Sequence, residues 1–148
     1  MHSAIVDRPL DPAALVAAVS SPACGAVVLF VGTVRAINDG RAVTGIEYAS
    51  YRPMAERELA AIVAETAAGV DGARIAVEHR VGTLALGEAS VAIAVAHGHR
   101  APAYEASRRV IEEIKRRVPI WKREHYADGT RAWVHAGTGA PAALEPVS

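Results

Sequence analysis

The sequence predicts an α+β fold in a single domain, with a mixed or antiparallel sheet and a closing C-terminal hairpin. Its 148 residues are enough for one hydrophobic core, and an apolar fraction of 51% excludes an intrinsically disordered chain. Helix and strand patterns are mixed along the chain, and hairpins outnumber strand–helix–strand units, which favours α+β over a doubly wound sheet. With no internal repeat or linker, we treat residues 1–136 as one domain. Residues 137–148, rich in Ala, Gly and Pro, are predicted to be a mobile tail.

The first half of the chain begins with a short helix. Asp11 is a suitable N-cap and Pro12 fits the first turn, so a helix is predicted over residues 13–19. The continuous apolar run over residues 26–31 predicts a buried strand. The sequence Asn38-Asp39-Gly40 is a turn signal, and a second strand is predicted over residues 43–51.

A longer helix is predicted from Pro53 to residue 68, where Leu59, Ile62, Val63 and Thr66 recur at helical spacing. Two strands follow, over residues 73–81 and 89–96, separated by residues 82–87.

The last regular elements are a second long helix and a hairpin. The helix is predicted over residues 102–118 and ends before Pro119, because the residue before a proline disfavours the helical conformation. Residues 121–126 and 131–135 then flank a turn at residues 127–130, which predicts an antiparallel hairpin.

Composition excludes several classes of function. Sixteen basic residues balance sixteen acidic ones, so bulk charge gives no attraction for nucleic acid or for an anionic membrane. The single cysteine, Cys24, cannot form an internal disulfide and fits a reducing compartment. The first nine residues do not resemble a signal peptide, and no apolar run reaches the ~20 residues of a membrane span. We therefore expect a cytoplasmic protein.

Basic side chains cluster where predicted elements end, at residues 30–35, 97–100 and 115–124. Element ends commonly build small-molecule sites, because the rigid scaffold fixes their geometry. The clusters predict a site for an anionic ligand, and a phosphate fits the Arg and His side chains best.

Lys115 lies about 40° outside the apolar stripe of its helix, on the border of the buried face. Burial there, with Arg108 and Arg116 nearby, would lower its pKa and suit a general base or a nucleophile, whereas Glu112 would act in the opposite direction. The alternative is a surface lysine whose aliphatic stem covers the core margin. The stripe comprises Ala103, Ser107, Val110, Ile111, Ile114 and Val118.

The other basic and sulfur-containing residues also allow two interpretations. His97 and His99 could bind a metal, but no further ligand completes the set, and an anion contact at the helix start fits better. The bases around Trp121 could contact nucleic acid or lie on an exposed strand. Cys24 could carry a persulfide or fill the core.

Five motifs in this order resemble the catalytic (large) subunit family of molybdopterin synthase, over about residues 25–135. They are Phe30-Val31-Gly32-Thr33-Val34-Arg35, the segment 48–56 with Tyr51 and Met54-Ala55-Glu56, His99-Arg100, Tyr104-Glu105-Ala106, and the run from Lys115 to Glu124. Within that run, Trp121-Lys122-Arg123-Glu124 is the most specific piece.

The resemblance implies an α/β hammerhead fold and a sulfurtransferase of molybdenum cofactor biosynthesis. It implies a homodimer in which each protomer binds a small ubiquitin-like sulfur-carrier subunit, giving a heterotetramer. The carrier thiocarboxylate would convert cyclic pyranopterin monophosphate (precursor Z) into molybdopterin, with no metal or other cofactor. It also implies that Lys115 and Lys122 are catalytic. The substrate-binding residues would be Thr33, Val34, Arg35, His99, Arg100, Lys115, Lys122, Arg123 and Glu124.

Two positions depart from the family pattern. Ser50 stands where members often carry a histidine, and Gly137 follows His135-Ala136 where some members carry a basic residue. Two rival functions also stay open: a non-catalytic binding module for a phosphorylated small ligand, and a persulfide sulfurtransferase that uses Cys24.

Overall fold

The computed structural model describes residues 1–142, which form three helices and nine strands. The helices are α1 (Pro12–Val19), α2 (Arg52–Gly69) and α3 (Arg100–Arg117). The strands are β1 (His2–Val6), β2 (Ala26–Thr33), β3 (Ile37–Asn38), β4 (Arg41–Ser50), β5 (Arg74–Arg80), β6 (Gly82–Ala85), β7 (Ala89–His97), β8 (Ile120–Tyr126) and β9 (Trp133–His135).

A four-stranded sheet in the order β1-β5-β7-β2 forms the centre of the molecule. β1 pairs with β5 in parallel, and the other pairs are antiparallel. Successive side chains of a strand point to opposite faces, so Val77 and Ile93 belong to the main core with α2 and α3. Ala76 and Ala92 pack with α1 on the other face.

A second sheet has the order β3-β4-β8-β9, and β6 also pairs with β4. Its long strand β4 pairs antiparallel with β8 over residues 43–50, and Ile46 and Tyr48 of β4 belong to the same core as the first sheet. The two sheets therefore meet at the C-terminal end of α3, where Val118 and Ile120 are buried.

The helix ends follow local sequence rules. The Asp11 carboxylate accepts a hydrogen bond from the Ala14 N–H at the start of α1, and Pro12 occupies the first turn. α3 ends at Arg117, two residues before Pro119. Arg117 also joins the two long helices, because it donates to Glu58 and Glu65 of α2.

The predicted α+β class, the three helices and the C-terminal hairpin are confirmed. The prediction of a buried strand over residues 26–31 was wrong in one respect: β2 lies at the edge of its sheet, where Val27 and Leu29 are 41% and 42% exposed. Strand β6 was missed, since residues 82–87 had been interpreted as a connection. Of the predicted mobile tail, residues 137–142 form a turn that hydrogen-bonds to β9. Residues 143–148 lie outside the described residues, and their mobility stays a prediction.

None of the described helices combines the length and the apolar character that crossing a membrane requires.

Candidate functional site

A cavity of about 370 Å³ opens where the two sheets meet the C-terminal half of α3. Its basic wall is formed by Arg35, Lys115 and Lys122, and Glu124 is the acidic residue in it. The rest of the lining is mostly apolar or small: Phe30, Gly32, Thr33, Asn38, Ile46, Tyr48, Ser90, Val91 and Ile111. Lys115 and Lys122 are also the two lysines of the whole chain, because the other basic residues are arginines. Both lysines of the sequence therefore line this cavity.

Lys115 enters the cavity from α3 and is partly buried. Burial lowers the pKa of its amine, and the charge of Lys122 lowers it further. Arg108 and Arg116, which we had expected to contribute, instead pair with Glu112 and Glu113. Within residues 1–142 no carboxylate forms an ion pair with Lys115. The Lys115 amine therefore loses its proton more readily than an ordinary lysine.

Lys122 lies across the cavity on β8 and has a fixed acidic partner. Its Nζ donates to Glu124 Oε1 at 2.8 Å, and the Glu124 side chain is 8% exposed. Asn38 Nδ2 donates to Glu124 Oε2 at 2.7 Å, and the Tyr126 hydroxyl donates to the same oxygen. Burial raises the pKa of Glu124, but these hydrogen bonds and the Lys122 charge outweigh it, so the net pKa is lowered. Glu124 is thus a buried carboxylate that forms an ion pair with Lys122.

Arg35 belongs to the same hydrogen-bond network. Its Nη2 donates to Asn38 Oδ1 at 3.3 Å, and its side chain is otherwise exposed at the cavity mouth. Thr33, at the end of β2, also lines the cavity. Val34 does not: its side chain is buried in the core, and its N–H and C=O bond to the backbone of Glu88 and Gly87.

A second cavity of about 470 Å³ adjoins the first and shares Asn38, Lys122 and Glu124 with it. Its far wall is made of small side chains around the C-terminal hairpin and the segment that follows, namely Thr130, Ala132, Ala136, Gly137, Thr138 and Gly139. Arg41 stacks on the Tyr126 ring at 3.6 Å on the opposite side. The pair Lys122–Glu124 therefore stands between two connected cavities.

His99 and Arg100 lie at the other end of α3. They are exposed at its first turn, and fifteen residues of helix separate Arg100 from Lys115, a distance of about 22 Å. The His99 N–H bonds to His97 Nδ1, and His97 Nε2 bonds to the Asp71 carbonyl. One chain does not bring these residues to the cavity.

Arg123 points away from both cavities. Since side chains alternate along a strand, Lys122 and Glu124 face the cavity while Arg123 and His125 face outward. Arg123 donates to both carboxylate oxygens of Glu47 and stacks over Trp133. The period of two in the predicted strand would have revealed this difference.

Asn38 and Tyr126 were missed as site residues. Asn38 was interpreted only as part of a turn, although its side chain links Arg35 to Glu124. Tyr126 shares a face with Lys122 and Glu124, which the same period of two predicts. Cys24 lies before the opposite end of β2 and lines neither cavity. Nowhere in residues 1–142 do three or more His, Cys, Asp or Glu side chains form a group that could hold a metal ion.

Comparison with known proteins gives the family. The family model described as "MoaE protein" matches residues 5–117, which is most of the chain. The chain belongs to the MoaE protein family. The matched range includes Arg35 and Lys115, and the relatives below extend the similarity to about nine tenths of the chain.

Relatives of this chain are found in both fungi and bacteria. The molybdopterin synthase catalytic subunit of Neosartorya fischeri is 41% identical over 133 residues, covering 90% of this chain and 71% of that protein. The catalytic subunit 1 of Mycobacterium tuberculosis is 43% identical over 130 residues, covering 88% of each. The crystal structure of molybdopterin synthase from Staphylococcus aureus superposes with a TM-score of 0.83 at 38% identity, covering 88% of this chain and 94% of that one.

Proposed function

We propose that this MoaE protein is the catalytic subunit of a molybdopterin synthase, which transfers sulfur from a carrier thiocarboxylate to cyclic pyranopterin monophosphate. The observation that carries the proposal is the unequal pair of lysines in one cavity. Lys122 forms an ion pair with Glu124, while the pKa of Lys115 is lowered by burial. A site that holds one ion-paired lysine and one amine able to lose its proton suits reactions of an anionic substrate that need proton transfer.

The chemistry divides between these side chains. In one transfer the thiocarboxylate sulfur attacks the substrate carbon that carries an ester oxygen of the cyclic phosphate. The C–S bond forms as that C–O bond breaks, so the ring opens, the phosphate stays on its other ester bond, and the carrier remains attached as a thioester. Water then attacks the acyl carbon and the acyl–sulfur bond breaks, so the sulfur stays on the substrate and the carrier leaves as a carboxylate. Neutral Lys115 accepts the proton of the attacking water, and the Lys122 ammonium stabilises the oxyanion that develops on the acyl carbonyl. In the other transfer the sulfur replaces the oxygen of the neighbouring carbonyl carbon, which leaves as water. The two transfers make the dithiolene with no oxidant or reductant, and no metal or other cofactor takes part.

The substrate and the carrier would use the two connected cavities. The cavity with Arg35 and both lysines offers charge-assisted hydrogen bonds to a phosphate. The adjoining cavity is lined by small side chains, so an extended tail that ends in glycines fits it. A small ubiquitin-like carrier that enters there would bring its terminal sulfur to Lys122, which borders both cavities.

A homodimer would complete the site. The exposed edge strand β2 begins at Ala26, which pairs with His97, and ends at Thr33, which lines the cavity. Its length is close to that of the α3 segment between Arg100 and Lys115. An antiparallel contact between the β2 strands of two copies, through Val27, Leu29 and Phe30, would bring His99 and Arg100 of one copy toward the cavity of the other.

The decisive test is turnover with precursor Z and thiocarboxylated carrier, followed by detection of the dithiolene product. Product formation by the purified chain supports the proposal, and its survival in Cys24→Ala excludes a persulfide relay through that cysteine. Activity that a chelator abolishes and zinc restores would contradict the metal-free mechanism. Tight binding of precursor Z without turnover would instead identify a non-catalytic binding module.

A further inference from the structure

The segment after β9 turns back onto the end of α3 that carries Lys115. A Cβ atom built on Gly137 would overlap the carbonyl oxygen and carbon of Lys115 and would lie 2.7 Å from its Cα. Only a residue without a side chain can approach the backbone so closely. The backbone of Gly137 is therefore packed directly on the backbone of Lys115.

The sequence of α3 explains why this approach is possible. In a helix the Lys115 carbonyl would accept from the N–H of residue 119, but that residue is a proline and has no N–H. Helix α3 ends at Arg117, and its final helical hydrogen bond runs from the Val118 N–H to the Ile114 carbonyl, one residue before Lys115. The carbonyl of Lys115 thus faces out of the last turn, where Gly137 covers it.

His135 holds the turn in this position through both ring nitrogens. Its Nε2–H donates to the Val118 carbonyl at 3.2 Å, and its Nδ1 accepts from the N–H groups of Gly137 and Thr138 at 3.2 and 3.1 Å. One neutral tautomer satisfies all three bonds. The Ala136 N–H also bonds to the Ile120 carbonyl at 2.9 Å, so the turn is fixed to both sides of Pro119.

We propose that Gly137, held by His135, is a positioning residue for Lys115: the turn at residues 135–139 fixes the last turn of α3 and so fixes the direction in which the Lys115 amine enters the cavity. The inference rests on the proposed role of Lys115 in sulfur transfer. Neither Gly137 nor His135 touches the reacting atoms in this arrangement. Gly137 also lines the adjoining cavity, so the positioning role is tested on Lys115 itself, through the position and the burial of the lysine, and not on turnover alone.

The test is the titration of Lys115 by amine labelling. The intact chain is labelled briefly over a range of alkaline pH with an amine-reactive anhydride, and the Lys115 and Lys122 peptides are quantified by mass spectrometry. In Gly137→Ala the methyl group pushes the turn away and water reaches the amine, so the pKa of Lys115 rises. Its labelling rate at a fixed pH below that pKa falls about tenfold for each unit of the rise, and it recovers at higher pH.

The matched control is Gly45→Ala. Its methyl group would lie 3.1 Å from the Leu84 carbonyl oxygen, so it also crowds a backbone, but on strand β4, and Gly45 lines neither cavity. Thermal unfolding of both variants shows whether they fold. If Gly137→Ala does not fold, His135→Ala replaces it, because it removes the three bonds that hold the turn without adding bulk.

The outcomes separate the inference from the proposed function. A raised Lys115 pKa in Gly137→Ala or His135→Ala, with the wild-type value in Gly45→Ala, supports the positioning role. The wild-type value in both turn variants overturns it. If the Lys115 pKa rises and single-turnover sulfur transfer is unchanged, the positioning role holds and the proposed role of Lys115 in catalysis fails.

Discussion

The Nζ of Lys122 lies 2.8 Å from Oε1 of Glu124, and this ion pair sets Lys122 apart from Lys115 in the same cavity. A carboxylate beside a lysine favours the charged form, whereas burial and a neighbouring cation favour the neutral form. The pKa of Lys115 is accordingly lowered, by burial first and by Lys122 second. The cavity thus contains one lysine in an ion pair, Lys122, and one amine whose pKa is lowered, Lys115.

Lys115→Ala should nearly abolish dithiolene formation, because the amine that exchanges protons is lost. Lys115→Arg should rescue poorly, since a guanidinium keeps its charge and cannot become neutral. The wild-type rate should rise with pH through a pKa below the usual lysine range. The measurement is single turnover with saturating thiocarboxylated carrier. The control is Arg116→Ala, an exposed neighbour that pairs with Glu113. Near-normal rates in Lys115→Ala would show that Lys115 has no catalytic role, and Lys122 would become the principal catalytic candidate.

Glu124→Gln should weaken both stability and turnover. The change removes the charge that pairs with Lys122, and losing charge-assisted hydrogen bonds of this kind costs about 1.5–3 kcal/mol. The pKa of Glu124 is lowered in the folded state, so its contribution is present above its unfolded pKa and disappears as the pH falls through the folded value. The stability difference between wild type and variant, measured by urea unfolding, should therefore shrink in acid. Glu112→Gln, on an exposed pair with Arg108, is the control, and equal losses in both variants would contradict a special role for Glu124.

Arg35→Ala should weaken the binding of precursor Z while the fold survives. Arg35 is exposed at the cavity mouth, so its loss removes a charge-assisted contact to phosphate of about 1.5–3 kcal/mol and leaves the core intact. Calorimetric titration measures the affinity. Arg108→Ala, an exposed arginine of α3 that lines neither cavity, should bind as wild type does. An unchanged affinity in Arg35→Ala would count against a phosphate site at the cavity mouth.

His79 should make the protein sensitive to mild acid. It is fully buried behind the cavity, with its ring against Tyr48, and burial lowers its pKa from 6.5 to about 4. The unfolded chain binds the proton more tightly, so stability is lost as the pH falls from 6.5 toward 4, by roughly 3 kcal/mol in total. Urea unfolding across this pH interval should show that the free energy of unfolding falls less steeply for His79→Leu, because leucine cannot titrate. Parallel curves for the two proteins would show that His79 does not cause the acid sensitivity.

The α+β class, the helices and the family all follow from the amino-acid sequence alone. These depend on information local to the chain: Asp11-Pro12 begins a helix, Pro119 ends one, and apolar residues recur at helical spacing. The sequence also shows that basic residues cluster at element ends, and Thr33, Arg35, Lys115, Lys122 and Glu124 do line one cavity. The period of two along β8 was available too, and it would have separated Arg123 from Lys122.

The partners of these residues depend on the three-dimensional arrangement of the elements. The pKa of Lys115 depends on Lys122, which comes from another element, and the ion pair of Lys122 depends on a carboxylate that Asn38 holds from more than eighty residues away. The exposure of β2 depends on which strand occupies the sheet edge, and the contact of Gly137 with Lys115 depends on where the hairpin turns. Periodicity reports which face of an element is apolar, but it does not report which element covers that face. Charge and proton affinity depend on the covering element, because desolvation and ion pairing act through space and not along the chain.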